Sequence, residues 1–239
     1  RNLRLLYFTR AGAYAYRSPH FTLDRCVLYP GTGWVTGSAV FAFLSPNPTV
    51  TRSLVVGGTS GIYLLESPNA TIRNNTVSQQ MFAGVAYAFS LRGSVQTNNS
   101  IGFGSNDCVS AEMHHPDELK SFRSDYNNLG TNVSVFNQAR AQREPDLWKR
   151  VMAEDFKTTY PRPFAAGSKA IVGIGRRYLT MQDWRAATGQ DAHSIFADPK
   201  YVKPVPPIDA WDWSVNPDSP NLGAGEGGAD IGCYGAATP

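Results

Sequence analysis

The chain has 239 residues, a formal net charge of +3 and only 17% charged residues. This composition argues against coiled coils and helix bundles, which need many charged, helix-favouring residues. The aromatic fraction of 12% argues against disorder, and no apolar run reaches the ~18 residues of a membrane-spanning helix. Residues 1–110 contain eight Arg, no Lys and three acidic residues, whereas residues 111–239 contain eight Arg, six Lys and sixteen acidic residues.

A repeated pattern occupies the first half of the chain. Three copies begin with Ser-Pro, at Ser18, Ser45 and Ser67, so their starts are 27 and 22 residues apart. A weaker fourth copy with one extra residue begins at Ser90. Each copy follows a Gly or small residue and an alternating apolar stretch, which predicts two or three short strands per unit. One unit cannot bury its apolar face alone, but stacked copies can.

The repeats therefore predict an all-β fold, a parallel β-helix. Right-handed winding is favoured because the hexapeptide repeats typical of left-handed solenoids are absent. Residues 1–103 are predicted to form the coils. Residues 104–239 are predicted to complete the same domain with a final coil or coils, loops, a helical insert at about 140–157 and a C-terminal wrapping tail.

Three finer elements are expected within this second half. A short strand is predicted around Ser121–Tyr126, inside a polar stretch that otherwise indicates loops. A capping-box pattern predicts a short helix from Thr180 to Thr188. In the tail, Trp211 and Trp213 are expected to cover apolar surface.

Equivalent positions of stacked coils form columns along the solenoid. One column contains Cys26, Ser53, Asn75 and Asn99. An Asn at such a bend can bond its amide to neighbouring backbone and to the next Asn in the column. We therefore predict an internal polar ladder at these positions, with the Cys26 thiol buried.

The next column outward contains Arg25, Arg52, Asn74 and Asn98. Two arginines one coil apart repel each other unless an anion lies nearby. That anion is expected to be either a neighbouring acid such as Asp24 or a bound ligand.

The C-terminal part of the chain resembles a known group of proteins. The segments TMQDWRAATGQDAHSIFADPKYV, DWSVNPDSPNLGAG and GADIGCYG are similar to the C-terminal section of bacterial right-handed parallel β-helix proteins. The matching residues are Trp184, Gly189, Gln190, Asp191, His193, Ser194, Asp198, Pro199, Pro217, Ser219, Pro220, Asp230, Ile231 and Gly232. The resemblance implies membership of the pectate-lyase-like superfamily, which contains polysaccharide lyases, enzymes similar to glycoside hydrolases, and proteins of no assigned activity.

The chain departs from this group at its beginning, because Arg1-Asn2-Leu3 already lies within the repeat texture. An open solenoid end exposes apolar side chains and unpaired strand edges. We therefore expect either that the chain is a C-terminal portion of a longer protein or that a partner chain caps the first coil.

The candidate catalytic residues fall into two sets. Glycoside hydrolysis needs two carboxyl groups about 5–9.5 Å apart, and Glu66 and Asp107 could converge only if the loop after the coils folds back. His114 and His115, followed by Asp117, could supply a general acid or base. We predict Glu66, Asp107, His114 and His115 as catalytic candidates; the alternatives are surface carboxylates paired with Arg and a solvated loop.

Candidate substrate-binding residues are Arg25, Arg52, Arg73 and Trp34, because guanidinium groups neutralise acidic glycans and ring faces stack on sugars. Most of the other coil aromatics are expected to pack in the core: Tyr14, Tyr16, Phe41, Phe43, Tyr63 and Tyr87. No cofactor or metal is predicted, because the coils carry no acid cluster and no zinc-ligand spacing.

Together these features predict a carbohydrate-active protein that cleaves an extracellular polysaccharide, as a hydrolase or a lyase. The net positive charge of the coils favours an acidic substrate. The alternative is a non-catalytic surface, adhesion or assembly protein. The expected partner is a polysaccharide. A nucleic acid is not expected, because binding its phosphates needs many exposed Lys and Arg side chains, whereas the net charge of the chain is small. The expected location is secreted, periplasmic or on the cell surface. The odd number of cysteines leaves the disulfide pairing open.

Overall fold

The structure is a computed structural model that describes residues 1–30, 37–102, 107–112, 116–129, 185–186, 188–204 and 211–236. The helical insert expected at 140–157 and the first residues of the helix expected from Thr180 lie outside this part. Within it the fold is an all-β parallel β-solenoid, which confirms the predicted fold class. Among these described residues, helical structure is limited to short 3-10 turns, such as Pro116–Ser121 and Glu226–Gly228, and a few residues near Arg185.

Successive coils each contribute three short strands. Coil 1 contains β1 (Arg4–Leu6), β2 (Ala13–Tyr16) and β3 (Thr22–Asp24). Coil 2 contains β4 (Val27–Tyr29), β5 (Val40–Phe43) and β6 (Thr49–Thr51). Coil 3 contains β7 (Leu54–Val56), β8 (Ser60–Leu65) and β9 (Thr71–Arg73). Coil 4 contains β10 (Thr76–Ser78), β11 (Ala83–Ala88) and β12 (Val95–Thr97). Coil 5 contains β13 (Ser100–Ile101), β14 (Asp107–Glu112) and β15 (Arg123–Asp125).

The strands of successive coils pair in parallel to form three five-stranded sheets. The first strands of the coils form sheet A, the second strands form sheet B and the third strands form sheet C. An antiparallel pair, β16 (Tyr201–Lys203) and β17 (Asp212–Val215), belongs to the tail. The strand predicted around Ser121–Tyr126 is confirmed as β15, whereas β14 lies where the sequence indicated only loops.

The core is filled by the inward half of each alternating strand. In sheet B, Val40 pairs with Ile62 and Ile62 with Val85, and all three side chains are fully buried. Leu64 and Ile72 are also fully buried. Stacked aliphatic side chains therefore form one continuous apolar column inside the solenoid.

The glycine that begins several of the repeated units is required by close packing between coils. A Cβ atom on Gly61 would lie 2.6 Å from the carbonyl oxygen of Gly84 and 2.5 Å from Val77. A Cβ atom on Gly84 would lie 2.7 Å from the carbonyl oxygen of Cys108 in the following coil. The small residue noted at the start of each repeat thus marks the point where neighbouring backbones come closest.

The predicted polar ladder is confirmed. The backbone N–H of Ser53 donates to Oδ1 of Asn75, and the N–H of Asn75 donates to Oδ1 of Asn99, both at 3.0 Å. The Cys26 N–H joins the same series through Ser53 Oγ at 3.1 Å. The ladder continues past the predicted members, because the Asn99 N–H donates to Oδ1 of Asn127 at 3.0 Å.

A second ladder accounts for the repeated Ser-Pro. The backbone N–H of Ser18 donates to the hydroxyl of Ser45, and the N–H of Ser45 donates to the hydroxyl of Ser67, both at 3.0 Å. The N–H of Ser67 donates to the hydroxyl of Ser90 at 2.8 Å. Each serine therefore satisfies the buried backbone of the preceding coil at a corner where sheet pairing stops.

The corners of the coils are built from residues in the left-handed backbone region. The outer column predicted from the repeats has φ values of 54° at Arg25, 49° at Arg52, 55° at Asn74 and 57° at Asn98. Because one residue per corner takes this conformation, the chain turns sharply while its neighbours remain extended.

The tail covers the outer face of sheet A. Trp213 is buried with Tyr29, Leu54 and Val56, and Trp211 packs against the same cluster. This confirms the prediction that the two tryptophans cover apolar surface. The three cysteines, all within the described residues, form no disulfide with one another, and Cys26 is buried as expected.

At the end of the solenoid formed by coil 1, β1, β2 and β3 are the outermost strands of the three sheets. Leu3 and Tyr7 there are 52% and 66% exposed. These exposures agree with a first coil whose outer end is not covered by any of the described residues. What covers that coil stays a prediction.

We predict that Asn99→Ala destabilises the fold by roughly 2–5 kcal/mol, because the change leaves buried backbone and amide groups of two adjacent coils without partners. Asn99 accepts from the Asn75 side-chain amide at 3.0 Å and donates to the Ile72 carbonyl at 2.8 Å. Urea unfolding would measure the loss of unfolding free energy, with the same dependence on urea concentration applied to wild type and variant. As a control, Asn74→Gly retains the left-handed corner and should change stability by no more than about 0.5 kcal/mol. Equal effects of the two variants would contradict the ladder's role.

Candidate functional site

A cleft of about 420 Å³ lies at the corner between sheets B and C, on coils 3 to 5. We call it the acidic cleft, and its lining residues are Glu66, Pro68, Phe89, Arg92, Asp117, Glu118 and Ser121. It places three carboxyl groups, one guanidinium group and one aromatic ring around a single concave surface. Of the predicted catalytic residues whose side chains are described, Glu66 therefore lies in this cleft.

Local structure explains why these residues meet. Glu66 and Phe89 occupy equivalent left-handed corner positions of coils 3 and 4, with φ of 51° and 54°. Asp117 and Glu118 belong to the 3-10 turn Pro116–Ser121, which packs against that corner. The sequence predicted that Glu66 and Asp107 could converge if the loop after the coils folded back. The turn brings Asp117 and Glu118 to Glu66 instead, whereas the Asp107 backbone pairs with Ala83 at the opposite end of sheet B.

The turn is fixed to the solenoid by polar and apolar contacts. The Ser121 hydroxyl accepts a hydrogen bond from the Gly93 N–H and donates to the Glu118 carbonyl, both at 3.1 Å. Leu119 packs against the main core, and the buried ring of Phe122 meets Tyr87 edge-on at 5.4 Å. Glu118 is therefore presented by an anchored turn and not by a free loop.

Asp117 makes an ion pair with Lys120 of the same turn, with Oδ1 and Nζ 2.6 Å apart. Both side chains are largely exposed. Glu118 is partly buried, whereas Asp117 is exposed. Of the two turn acids, Glu118 is therefore the one held more closely by the cleft.

The remaining catalytic candidates are only partly visible. Asp107 begins β14, where its backbone pairs with Ala83 of sheet B, but its side chain lies outside the described part of the structure. His114 and His115 also lie outside it, immediately before the turn that carries Asp117. Trp34 lies outside it as well.

The prediction that most coil aromatics pack in the core is wrong. Tyr14 and Tyr16 are 58% and 47% exposed, and Phe41 and Phe43 are partly exposed. The inward positions of these strands belong to small residues such as Ala15. Outward aromatic residues therefore alternate with inward small ones, and the sequence pattern alone did not show which set faced the core.

The outward rings form a continuous surface, which we call the aromatic platform, consisting of Tyr14, Tyr16, Phe41, Phe43 and Tyr63. The rings of Phe41 and Tyr63 are nearly parallel, 14° apart, with centroids separated by 5.1 Å. Tyr14 lies 5.3 Å from Phe41, and Tyr16 lies 5.4 Å from Phe43. Stacked coils thus produce two rows of rings that run along the solenoid.

Tyr87 is the exception among the predicted core aromatics, because it is buried at an inward position in register with Leu64. Its hydroxyl donates to Gln96 Oε1 at 3.1 Å, which satisfies its polar end. Burial raises the pKa of Tyr87 far above its ordinary value.

The platform leads directly to the acidic cleft. The platform lies on coils 1 to 3, and the cleft lies on coils 3 to 5. Phe43 pairs in register with Leu65, the residue immediately before Glu66. An extended molecule lying along the platform would therefore reach the cleft without leaving this side of the solenoid.

The predicted substrate-binding arginines lie elsewhere. Arg25, Arg52 and Arg73 are at the far end of the sheet C strands from Glu66. The Arg52 Nε and Nη2 atoms both lie 2.8 Å from Asp24 Oδ1. The anion predicted beside this column is thus the neighbouring acid. Burial acts to raise the pKa of Asp24, but the hydrogen bonds from Arg52 and Thr51 outweigh it and lower the pKa below its ordinary value.

Arg73 belongs to a polar cluster that the sequence did not reveal. Glu226, from the tail, binds Arg73 through Oε2 at 2.5 Å and Arg123 through Oε1. The hydrogen bond from Arg123 and the charges of both guanidinium groups lower the pKa of the Glu226 carboxyl, although burial opposes them. We call this three-residue contact the tail latch, because it holds the tail on sheet C.

A second contact lies beside the latch. His193 Nδ1 is 2.8 Å from Asp125 Oδ2, and the His193 backbone N–H donates to Asp125 Oδ1 at 2.8 Å. The imidazole ring also stacks on Tyr126, 8° from parallel with a centroid distance of 4.8 Å. Burial acts to raise the pKa of Asp125, but its bonds to His193 dominate and lower the pKa below its ordinary value.

Sequence reasoning missed Glu118 and Arg92 in the cleft. Arg92 lies in the fourth repeat, which is one residue longer than the others, and an insertion in a regular coil is the signal that could have marked it. Glu118 carried no such signal, because its position depends on how the turn folds back.

Comparison with protein-family models gave no match, and none was found among curated proteins or solved structures. Within the described ranges no group of three His, Cys, Asp or Glu side chains is arranged to hold a metal ion. None of the helical segments in the described part is long and apolar enough to cross a membrane.

We predict that Glu226→Gln lowers stability at neutral pH by at most about 1 kcal/mol, because the latch is partly exposed. A carboxyl with a depressed folded-state pKa stabilises the fold above its unfolded pKa of about 4.3 and loses that contribution as pH falls through the folded value. The difference between wild type and variant should therefore shrink below about pH 4. Urea unfolding at several pH values would measure it. A difference that is independent of both pH and added salt would contradict this account.

Proposed function

We propose that the protein is a carbohydrate-active β-solenoid that hydrolyses a polysaccharide. The observation that carries this proposal is the aromatic platform leading into a cleft with several carboxyl groups. Aromatic ring faces suit the apolar C–H faces of sugar rings, and paired carboxyl groups suit cleavage of the bond between them. The two features lie on one side of the solenoid and follow its axis.

The cleft offers the groups that hydrolysis needs. One carboxyl group protonates the leaving oxygen while a second acts as nucleophile or activates water. We assign these two roles to Glu66 and Glu118, which come from coil 3 and from the turn of coil 5. Arg92, at the same cleft, can donate hydrogen bonds to the hydroxyl oxygens of the substrate.

A lyase is the second form of this proposal. His114 or His115 would remove a proton from a uronate ring, and an Arg would neutralise the uronate carboxylate. Arg92 is the arginine that the cleft provides, and Asp117, which follows the two histidines in the sequence, would be the carboxylate that tunes the imidazole. This form requires an acidic polysaccharide, whereas hydrolysis through Glu66 and Glu118 does not.

Two further expectations belong to this proposal. The resemblance of the C-terminal segments to bacterial proteins of the pectate-lyase-like superfamily supports action on a glycan. An extracellular polysaccharide substrate implies that the protein is secreted, periplasmic or attached to the cell surface.

A non-catalytic role is the second candidate function. The platform alone, on coils 1 to 3, could bind a glycan without cleaving it, as a surface or adhesion protein would. Its flat, repeated geometry favours this role. The cleft distinguishes the two candidates, because binding alone does not need carboxyl groups there.

We predict that Glu66→Gln and Glu118→Gln each lower the rate of polysaccharide cleavage by roughly 10²- to 10⁴-fold, the contribution typical of a general acid or base. The measurement is a reducing-end assay on a panel of neutral and acidic polysaccharides. Asp218→Asn is the matched control, because it removes an exposed carboxylate paired with Lys200 in the tail and should leave the rate unchanged.

The same assay distinguishes the mechanisms. Product that absorbs in the ultraviolet, as an unsaturated uronate does, would indicate the lyase. If no polysaccharide is cleaved but binding persists, the non-catalytic role is favoured. Normal rates in both glutamine variants would refute the assignment of Glu66 and Glu118.

We predict that Phe41→Ala and Tyr63→Ala each weaken glycan binding by roughly 2- to 10-fold, since an aromatic stacking contact contributes about 0.5–1.5 kcal/mol. Calorimetric titration with a soluble oligosaccharide of the cleaved or bound polysaccharide would measure this change. Tyr7→Ala removes an exposed ring on the sheet A side and should not alter affinity. Equal losses in all three variants would show that the effect is not specific to the platform.

A further inference from the structure

A second cavity, of about 350 Å³, lies between the tail and the outer face of sheet A. We call it the tail pocket. Coils 1 to 3 contribute Arg4, Val27 and Leu54, and the tail contributes Trp211 to Ser214 and Tyr234. The acidic cleft lies at the corner between sheets B and C, so the tail pocket is a separate site. Nothing in the proposed hydrolysis uses it.

Two tryptophans form the aromatic corner of this pocket. The rings of Trp211 and Trp213 are 82° apart, with centroids separated by 5.8 Å. Trp211 is supported by Tyr29 at 4.6 Å, and Trp213 is supported by Tyr201 at 5.0 Å. One ring can therefore lie under a planar or chair-shaped ligand while the other closes its edge, and neither ring is free to turn away.

The indole N–H groups of Trp211 and Trp213 are buried, and neither has a hydrogen-bond partner among the described residues. A buried donor without a partner costs about 1–3 kcal/mol. The lining of the tail pocket therefore contains polar groups that the described residues leave without partners.

The other polar groups of the pocket balance in charge. Asp212 supplies a carboxylate whose Oδ1 accepts from the backbone N–H of Ser214 at 2.9 Å and from the Ser214 hydroxyl. Arg4 supplies a guanidinium group at the opposite, solenoid side of the pocket. Burial raises the pKa of Tyr234 to about 12, so its phenol remains a neutral hydrogen-bond donor near pH 7. One cation and one anion favour a neutral ligand.

We propose that the tail pocket binds a single neutral pyranose unit, such as the end of a glycan chain. The flat C–H face of the sugar lies against one indole ring, and its hydroxyl oxygens accept from Arg4 and from the Tyr234 phenol. Its hydroxyl groups donate to Asp212. A pyranose combines the apolar face, the acceptor oxygens and the donor hydroxyls that this lining demands.

The experiment titrates the full chain with three neutral trisaccharides, cellotriose, maltotriose and mannotriose. Calorimetry gives the affinity, and the indole ¹H–¹⁵N resonances of Trp211 and Trp213 identify the site. Binding of at least one trisaccharide is expected to shift both indole signals, and Asp212→Asn is expected to weaken it about 10-fold or more. Asparagine can still accept the bonds from Ser214, so this variant retains the local fold.

Two further variants keep the test decisive. Trp211→Ala removes one of the two stacking rings and should also weaken binding, whereas Asp218→Asn, an exposed tail control, should not. The proposal is overturned if none of the three sugars binds with a dissociation constant below roughly 10 mM. It is also overturned if the indole signals stay fixed, or if Phe41→Ala removes binding while Asp212→Asn does not.

This outcome is independent of the proposed hydrolysis. The Glu66→Gln protein should bind the trisaccharide at the tail pocket as the wild type does. Loss of cleavage with intact binding would concern the cleft alone, and loss of binding with intact cleavage would concern the tail pocket alone.

Discussion

The structure depends on one requirement: the backbone N–H groups at the corners of the coils must find acceptors inside the solenoid. The sheets satisfy the straight segments, but pairing stops where the chain turns. Asn75, Asn99 and Asn127 supply those acceptors in one column, each to the coil before it. Ser45, Ser67 and Ser90 do the same at another corner. Coils of different length can stack because these corners stay aligned.

Aligned corners also decide which side chains face outward together. A residue at one position of a coil lies beside its equivalents in the coils above and below. For this reason Phe41 and Tyr63 stack although 22 residues separate them, and Glu66 lies beside Phe89. The aromatic platform and the acidic cleft are both products of this lattice. Their chemistry differs because the corner and the strand carry different residues, not because the backbone changes.

Much of the fold could be predicted from the sequence because its repeats are local and periodic. The spacing of Ser-Pro placed Cys26, Ser53, Asn75 and Asn99 in one column, and the structure has them there. The repeats did not determine which face of each strand pointed inward. Tyr63 and Leu64 are adjacent in one strand, and the sequence allowed either side chain to face the core. In the structure Leu64 faces the core.

The candidate site was less predictable, because it combines elements far apart in the sequence. Glu66 was identified from its place beside Ser-Pro. Its partner Glu118 depends on a turn whose packing involves Leu119, Ser121 and Phe122, and no local pattern reports that packing. The tail latch has the same origin: Glu226 reaches Arg73 across 153 positions of sequence. Sequence periodicity predicts the contacts that recur in every coil. Contacts that occur only once, such as that of Glu226 with Arg73, are seen only in the folded structure.

The length of the two rows in the aromatic platform depends on the number of coils. Strands of neighbouring coils lie about 4.8 Å apart, so each additional coil extends the rows by one fixed step. Duplication of a coil such as coil 2 would lengthen the two rows of rings and would leave the acidic cleft unchanged. The length of the platform and the composition of the cleft can therefore change independently in proteins built on this plan, the first through the number of coils and the second through one corner.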